Sequence, residues 1–238
     1  MVGHPRQILR LTVLNMRSYA RCMSALADAA LQGSLFGAAE PHITRPIPDA
    51  RTDLDHDAWI VRVPGWIGGD QTLLERVAET TAWHSGRRPM YDRIVDVPRL
   101  TASVPKSGPG HPVLWEVAAN LRERFDERMD RISLAFYRDG RDSVAPHGDT
   151  VARDMHSSVM AIVSCGAPRR FLLTPIEGGQ SVSFDFGMGD LLVMGGTIQR
   201  TWRHSVPKTN RPVGPRMSVM FRPRWETGPP QRPTASRL

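Results

Sequence analysis

From Arg131 to Arg222 the sequence is written in twos. Seven short runs, "RISLAFY", "HSSVMAIVSC", "RRFLLTPI", "QSVSFDF", "DLLVMGG", "TWRHSV" and "RMSVMFR", follow one another with Gly, Pro and Asp between them. Successive side chains of a strand point to opposite faces. In "QSVSFDF", Val182, Phe184 and Phe186 therefore share one face. Many short strands punctuated by turn residues predict a sandwich or a barrel-like jelly roll.

The chain ahead of this region reads differently. "LFGAAEPHITRPIPDARTDLDHD" (35–57) is rich in Pro and Asp and predicts an extended linker or surface loop. "AWIVRVPGW" is a short strand stopped by Pro64-Gly65. Thr72 and Glu75 have capping-box spacing before Val77 and Ala78, which predicts a helix over 70–83. In "HPVLWEVAANLRERF", Leu114, Val117, Ala118, Leu121 and Phe125 recur at helical spacing, with Pro112 suited to the first turn. Trp115 on that helix reads as a packing residue. The expected class is α+β, mainly β, with a β core supported by N-terminal helices.

Through Ala27 there is no Asp or Glu, against Arg6, Arg10, Arg17 and Arg21. That is the composition of a transit peptide, and equally of a start assigned too early, upstream of Met23. The expected organisation is a flexible extension over 1–34, one domain over 35–228 and a tail over 229–238. No run approaches ~18 uninterrupted apolar residues, so no membrane span is expected. Cys22 and Cys165 form no C-x-x-C pattern and read as free thiols in a reducing, cytoplasmic setting.

The formal net charge is +7, and Lys106 and Lys208 are the only lysines among 31 basic residues. A GC-rich coding sequence gives such an arginine bias. The charge also suits a polyanionic partner, since arginine grips phosphate with two donors and stacks on bases.

Two places offer metal chemistry. "DLDHD" sets Asp53, Asp55 and Asp57 around His56 but lacks the Gly and Glu of a calcium loop, and reads as a solvated acidic loop. "APHGDT" places His147 and Asp149 two apart after a strand and a glycine turn. That spacing is ordinary in loops; with a third ligand on another strand it becomes a clamp. His204 in "TWRHSVP" fits, and two His with one carboxylate form the facial triad of non-haem Fe(II) oxygenases.

Strand parity adds arginines and a tyrosine. In "RMSVMFR", Arg216, Ser218, Met220 and Arg222 share a face, with the two arginine Cα atoms roughly 20 Å apart. Cations on an apolar strand are costly unless they meet anions. In "RISLAFY", Ser133, Ala135 and Tyr137 share the face opposite Ile132, Leu134 and Phe136. Tyr137 thus points to the ligand side if the other face is the packed one.

Taken in order, "VPRLTA", "HPVL", "FYRDGRDSVAPHGD", "GDLLVMGGTIQRTWRHSVP" and "PRMSVMFR" resemble the AlkB family of Fe(II)/2-oxoglutarate dioxygenases. The likeness spans roughly Met90 to Arg224. It implies a double-stranded β-helix with Fe(II) on His147, Asp149 and His204. It implies 2-oxoglutarate as cosubstrate on Arg216, Arg222, Tyr137 and the strand position held by Ser218, with O₂ as oxidant. It implies a monomer that demethylates alkylated bases of DNA or RNA, single-stranded or flipped out, and releases formaldehyde, succinate and CO₂. The segment from about Arg87 to Gly110 resembles the nucleotide-recognition lid, with Arg99 near the substrate.

Four positions depart from the family pattern. Ala135 and Ser218 stand where the family has Asn. Thr150 and Val151, expected at the substrate, stand where repair enzymes carry a further acid. These departures keep two other readings open: a 2-oxoglutarate oxygenase acting on a protein or small molecule, and a non-catalytic nucleic-acid-binding homologue.

Overall fold

A computed structural model of the chain describes residues 39–90, 93–104, 111–126, 128–149 and 155–224. The N-terminal extension, the C-terminal tail, Cys22, Thr150 and Val151 lie outside the described residues.

The described chain is mostly β. In order it runs β1 (His42–Ile43), β2 (Thr52–Asp53), β3 (Ala58–Val63), β4 (Ile67–Gly68), helix α1 (Asp70–Thr80), β5 (His84–Met90), β6 (Arg93–Ser103) and helix α2 (Pro112–Arg124). It continues through β7 (Met129–Tyr137), β8 (Val144–His147), β9 (Met160–Gly166), β10 (Arg169–Pro175), β11 (Val182–Phe186), β12 (Asp190–Gly196), the single turn α3 (Ile198–Thr201), β13 (Trp202–Val206) and β14 (Arg216–Pro223). Eight strands form one sheet in the order β2-β3-β12-β9-β14-β7-β6-β5, four form a second in the order β11-β10-β13-β8, and β1 pairs with β4. Adjacent strands run antiparallel throughout.

Period two decides which residue meets which layer. On β7, Ile132, Leu134 and Phe136 pack toward the helices, while Ala135 and Tyr137 face the smaller sheet. On β14, Met217, Val219 and Phe221 join the helix-side core. Val163, Leu191 and Val193 do the same, and their neighbours Ile162, Leu192 and Met194 fill the space between the sheets with Phe171, Leu173, Phe186 and Trp202. Burying each such side chain stabilises the fold by roughly 1.5–3 kcal/mol. The inner layer matters for function, because its open end holds the candidate site.

The helices cover the large sheet. α1 buries Leu73, Leu74, Val77 and Ala78, and α2 buries Val113, Leu114, Val117, Ala118 and Leu121. Trp115 is partly buried against the same core, as expected of a packing residue.

The start of α1 departs from expectation. The N-cap is Gly69, in the left-handed region at φ 68°, and no side chain caps the helix. Thr72 lies inside the first turn and is buried, so the Thr72–Glu75 spacing makes no capping box. A glycine tolerates positive φ at no steric cost, and it places the boundary three residues ahead of Thr72. The helix also stops at Thr80, short of Trp83.

The segment before β3 is largely irregular, with two-residue strands at either end, and Asp53, Asp55, His56 and Asp57 are exposed. Among the described residues no helix is long and apolar enough to cross a membrane.

Candidate active site

The two sheets part at one end around a cavity of about 680 Å³. His84, Arg99, His111, Ser133, Ala135, Tyr137 and Val144 line it, with His147, Phe171, His204, Ser218, Met220 and Arg222. Of the site residues singled out from the sequence, Arg99, Tyr137, His147, His204, Ser218 and Arg222 come to this one space.

β8 and β13 bring the two histidines together. His147 and His204 are register partners, with ring centroids 4.2 Å apart. His204 is buried and stacks on Phe171, 5.9 Å between centroids and 11° between planes. Burial pushes its imidazole down to about 3, and lowers that of His147 in the same way. Both rings are therefore neutral at pH 7, the form that ligates a metal. The Ala145 carbonyl lies 2.9 Å from His147 Nδ1. It can only accept, so Nδ1 carries the proton and Nε2 keeps its lone pair.

Asp149 follows two residues later. Its N–H donates to Gln199 Oε1 at 2.8 Å, and its Oδ2 accepts from Arg222 Nε. Burial opposes ionisation of this carboxyl, but the Arg222 guanidinium outweighs it and holds the group below the usual carboxylate range. Arg222 also donates to Ser133 Oγ on β7.

Among the described residues no three His, Cys, Asp or Glu side chains form a ready metal cluster. The part-buried Asp149 carboxylate pairs instead with Arg222. The donor set still fits Fe(II), with two neutral imidazoles on one rung and an ionised carboxylate whose Oδ1 is not used by Arg222.

Arg216 sits deeper. It is 0% exposed and opposes Tyr137 across β7–β14, with its guanidinium 5.0 Å from the Tyr137 ring centre and 5.5 Å from that of Phe186. Nε donates to the Phe186 carbonyl, while both Nη atoms are buried without a partner. Such a cation is expensive to bury unless an anion meets it. A small dicarboxylate entering past Tyr137 would supply one. Ser218 and Ala135 form the next pair on the same face, two rungs along, and line the cavity.

Arg99 lines the cavity from β6, where its Nη1 donates to the Ser143 carbonyl at 3.3 Å. The β5–β6 hairpin pairs with β7 only over Leu100–Ser103, so Arg87, Arg88, Arg93 and Arg99 fall on the part beyond that pairing. Cys165 is a free, buried thiol that burial pushes up and out of reach of chemistry.

Two further residues touch the site: Gln199, in the turn before β13, and Ser133, under Arg222. Strand parity puts Ser133 on the ligand face without giving it a role. Nothing in the sequence marks Gln199.

The model of the 2OG-Fe(II) oxygenase superfamily matches residues 70–227. The chain belongs to that superfamily. Within it, the AlkB resemblance holds. Alpha-ketoglutarate-dependent dioxygenase alkB homolog 3 of Mus musculus is 31% identical over 171 residues, covering 63% of this chain and 60% of the relative. DNA oxidative demethylase ALKBH2 of the same species is 29% identical over 122 residues, covering 48% of this chain and 51% of the relative. The chain thus spans about half to six-tenths of the length of these curated relatives. Among solved structures, a prolyl hydroxylase from Trichoplax adhaerens in complex with a hypoxia inducible factor peptide fragment matches with TM-score 0.53 at 12% identity, over 69% of this chain and 82% of that one. This AlkB-like chain therefore has the oxygenase fold, consistent with a jelly-roll core.

Proposed function

We propose that this chain is an Fe(II)/2-oxoglutarate-dependent dioxygenase that removes N-alkyl groups from bases of DNA or RNA on a double-stranded β-helix backed by α1 and α2. The observation that carries the reading is the buried Arg216 guanidinium with both Nη atoms unpartnered, opposite Tyr137, which lines the same cavity as His147 and His204.

His147 Nε2, the Asp149 carboxylate and His204 would hold the metal. With 2-oxoglutarate and O₂, bound Fe(II) supplies the oxidising power to hydroxylate an N-methyl carbon. The resulting carbinol breaks down to formaldehyde and the free base, while 2-oxoglutarate leaves as succinate and CO₂.

The remaining work belongs to the protein. Arg216 receives one cosubstrate carboxylate as a two-pronged donor, and Tyr137 orients it. Arg222 steadies Asp149 from one side, and Ser133 steadies Arg222. Phe171 and Met220 keep the inner wall apolar. A base inside a duplex cannot reach such a cavity and must be flipped out or unpaired. The net charge of +7 and the arginines of the β5–β6 hairpin suit the phosphate contacts that this requires. Arg99, and Thr150 and Val151 just after Asp149, are the residues proposed to meet the base.

The test is turnover across a panel of methylated single- and double-stranded oligonucleotides, scored for formaldehyde and succinate. Formaldehyde from at least one methylated strand, dependent on Fe(II) and 2-oxoglutarate, supports the reading. Succinate without formaldehyde from any strand rejects nucleic acid as the substrate.

A further inference from the structure

We propose that Gln199 is a positioning residue for Asp149: it fixes the backbone of the His147–Gly148–Asp149 turn so that the carboxylate can swing between Arg222 and a metal ion without the turn moving. The inference rests on the metal reading of this site.

Three observations converge on it. Gln199 is 2% exposed, and its Oε1 accepts the Asp149 N–H at 2.8 Å, 50 residues away in sequence. Its own backbone carbonyl packs so closely on Gly148 that a Cβ there would collide with it. The turn is therefore gripped twice by one residue, once through a side chain and once through a close backbone approach that only glycine permits. Gln199 also lies in α3, which runs directly into β13 and His204. One residue thus ties the loop that carries one candidate ligand to the element that carries another.

The amide has a single usable orientation. An N–H of Asp149 must meet Oε1, because Nε2 can only donate. Nε2 is left buried without a partner. Leaving a buried donor unpaired is a cost, tolerated here because the opposite end of the amide holds Asp149. Arg222 restrains the carboxylate at Oδ2 only. With the main chain pinned by Gln199, rotation about the Asp149 side chain alone presents oxygen to a cation. Without that pin, a ligand bond to Asp149 would also have to order the turn, and that entropy would be taken from metal affinity.

The experiment is a Co(II) titration of the purified full chain, followed by visible d–d absorption, alongside melting of the metal-free protein. Gln199→Leu keeps the shape but loses the acceptor. It should raise the Co(II) Kd by about tenfold or more, the scale of losing a partner behind a ligand. Gln199→Glu keeps an acceptor oxygen and should restore affinity to near wild type. Gly148→Ala pushes the turn off the Gln199 carbonyl by another route and should weaken Co(II) similarly, which serves as the test if Gln199→Leu does not fold. The double variant should be no weaker than either single one. A Gln199→Leu protein that melts lower but binds Co(II) as wild type does overturns the positioning role. Wild-type protein that binds no Co(II), or an Asp149→Ala variant that binds it unchanged, overturns instead the metal reading beneath.

Discussion

Ser218 stands directly opposite Ala135 across β7–β14, and both residues line the cavity two rungs from Arg216 and Tyr137. The two family positions that have lost an asparagine are thus one place in space. Neither departure compensates the other; together they leave a single hydroxyl where two amides would reach a cosubstrate. Ser218→Asn should lower the KM for 2-oxoglutarate by about fivefold, the worth of one net hydrogen bond of about 1 kcal/mol. Ala135→Asn should do the same, and the double variant should gain less than the sum, because the two side chains compete for one space. Steady-state kinetics with varied 2-oxoglutarate read this directly, and an unchanged KM in both single variants rejects it.

Arg216 should separate binding from stability. Arg216→Lys cannot reproduce a forked contact to a carboxylate, and its KM for 2-oxoglutarate should rise by about tenfold or more. Arg216→Met removes a buried cation that has two unsatisfied Nη atoms, so the protein without cosubstrate should melt no lower than wild type, and higher if the unpaired charge is the dominant cost. Saturating 2-oxoglutarate should raise the Tm of wild type and not of Arg216→Met. A large loss of stability in Arg216→Met would mean that the guanidinium is satisfied inside the protein.

The triad carries the turnover prediction. His147→Ala, Asp149→Ala and His204→Ala should each abolish Fe(II)-dependent succinate release while the far-ultraviolet circular dichroism stays close to wild type. Full turnover in any one variant removes that residue from the site. Asp149→Ala also strips Arg222 of its carboxylate, and should cost more stability than His147→Ala.

Acid should loosen the metal-free protein early. The His204 imidazole is held down to about 3 by burial, well below its ordinary value near 6.5, and His147 is lowered in the same direction. A depressed histidine binds more protons unfolded than folded between those two values. Its contribution is therefore complete above about pH 6.5 and is lost as pH falls toward 3. A tenfold change in proton affinity is worth roughly 1.4 kcal/mol, so the loss over that window should reach a few kcal/mol. Denaturant melts from pH 7 to pH 4 should show the decline, and His204→Phe should flatten it. A wild-type profile flat over that range would show the ring to be solvated.

Salt should report on the substrate. If the hairpin arginines and Arg99 meet phosphates, the logarithm of the oligonucleotide binding constant should fall with the logarithm of salt, by about 0.7 per contact on a single strand. Weak binding that is flat from low to high salt would leave the +7 charge without a nucleic-acid role.

What the sequence discloses follows from what alternation can disclose. β7, β9, β12 and β14 are packed on both faces, one against helices and one against the smaller sheet, and their two-residue rhythm locates Tyr137, Arg216 and Arg222 on the inner side. The β5–β6 hairpin does not read as two strands. It contains Pro89 and Pro98 and shifts register between Ser85 and Arg87, so no clean alternation survives. β8 is equally silent, being four residues long and containing Pro146. The ion pair between Arg222 and Asp149 joins residues 73 apart, and the Gln199 contact depends on how one helical turn settles over a glycine. Local pattern carries neither.

β8 has a mechanical consequence. It is the outermost strand of its sheet, joined to β13 at only His147–His204 and Val144–Val206 with an irregularity between. A strand held so lightly frays, and its amides should exchange with solvent through local opening rather than global unfolding. A cation bridging His147 and His204 would act as a rivet through the last rung of the sheet. Loading the metal and closing the rim would then be one event, and the amides of Val144, Ala145 and His147 would slow their exchange only once the ion is in place.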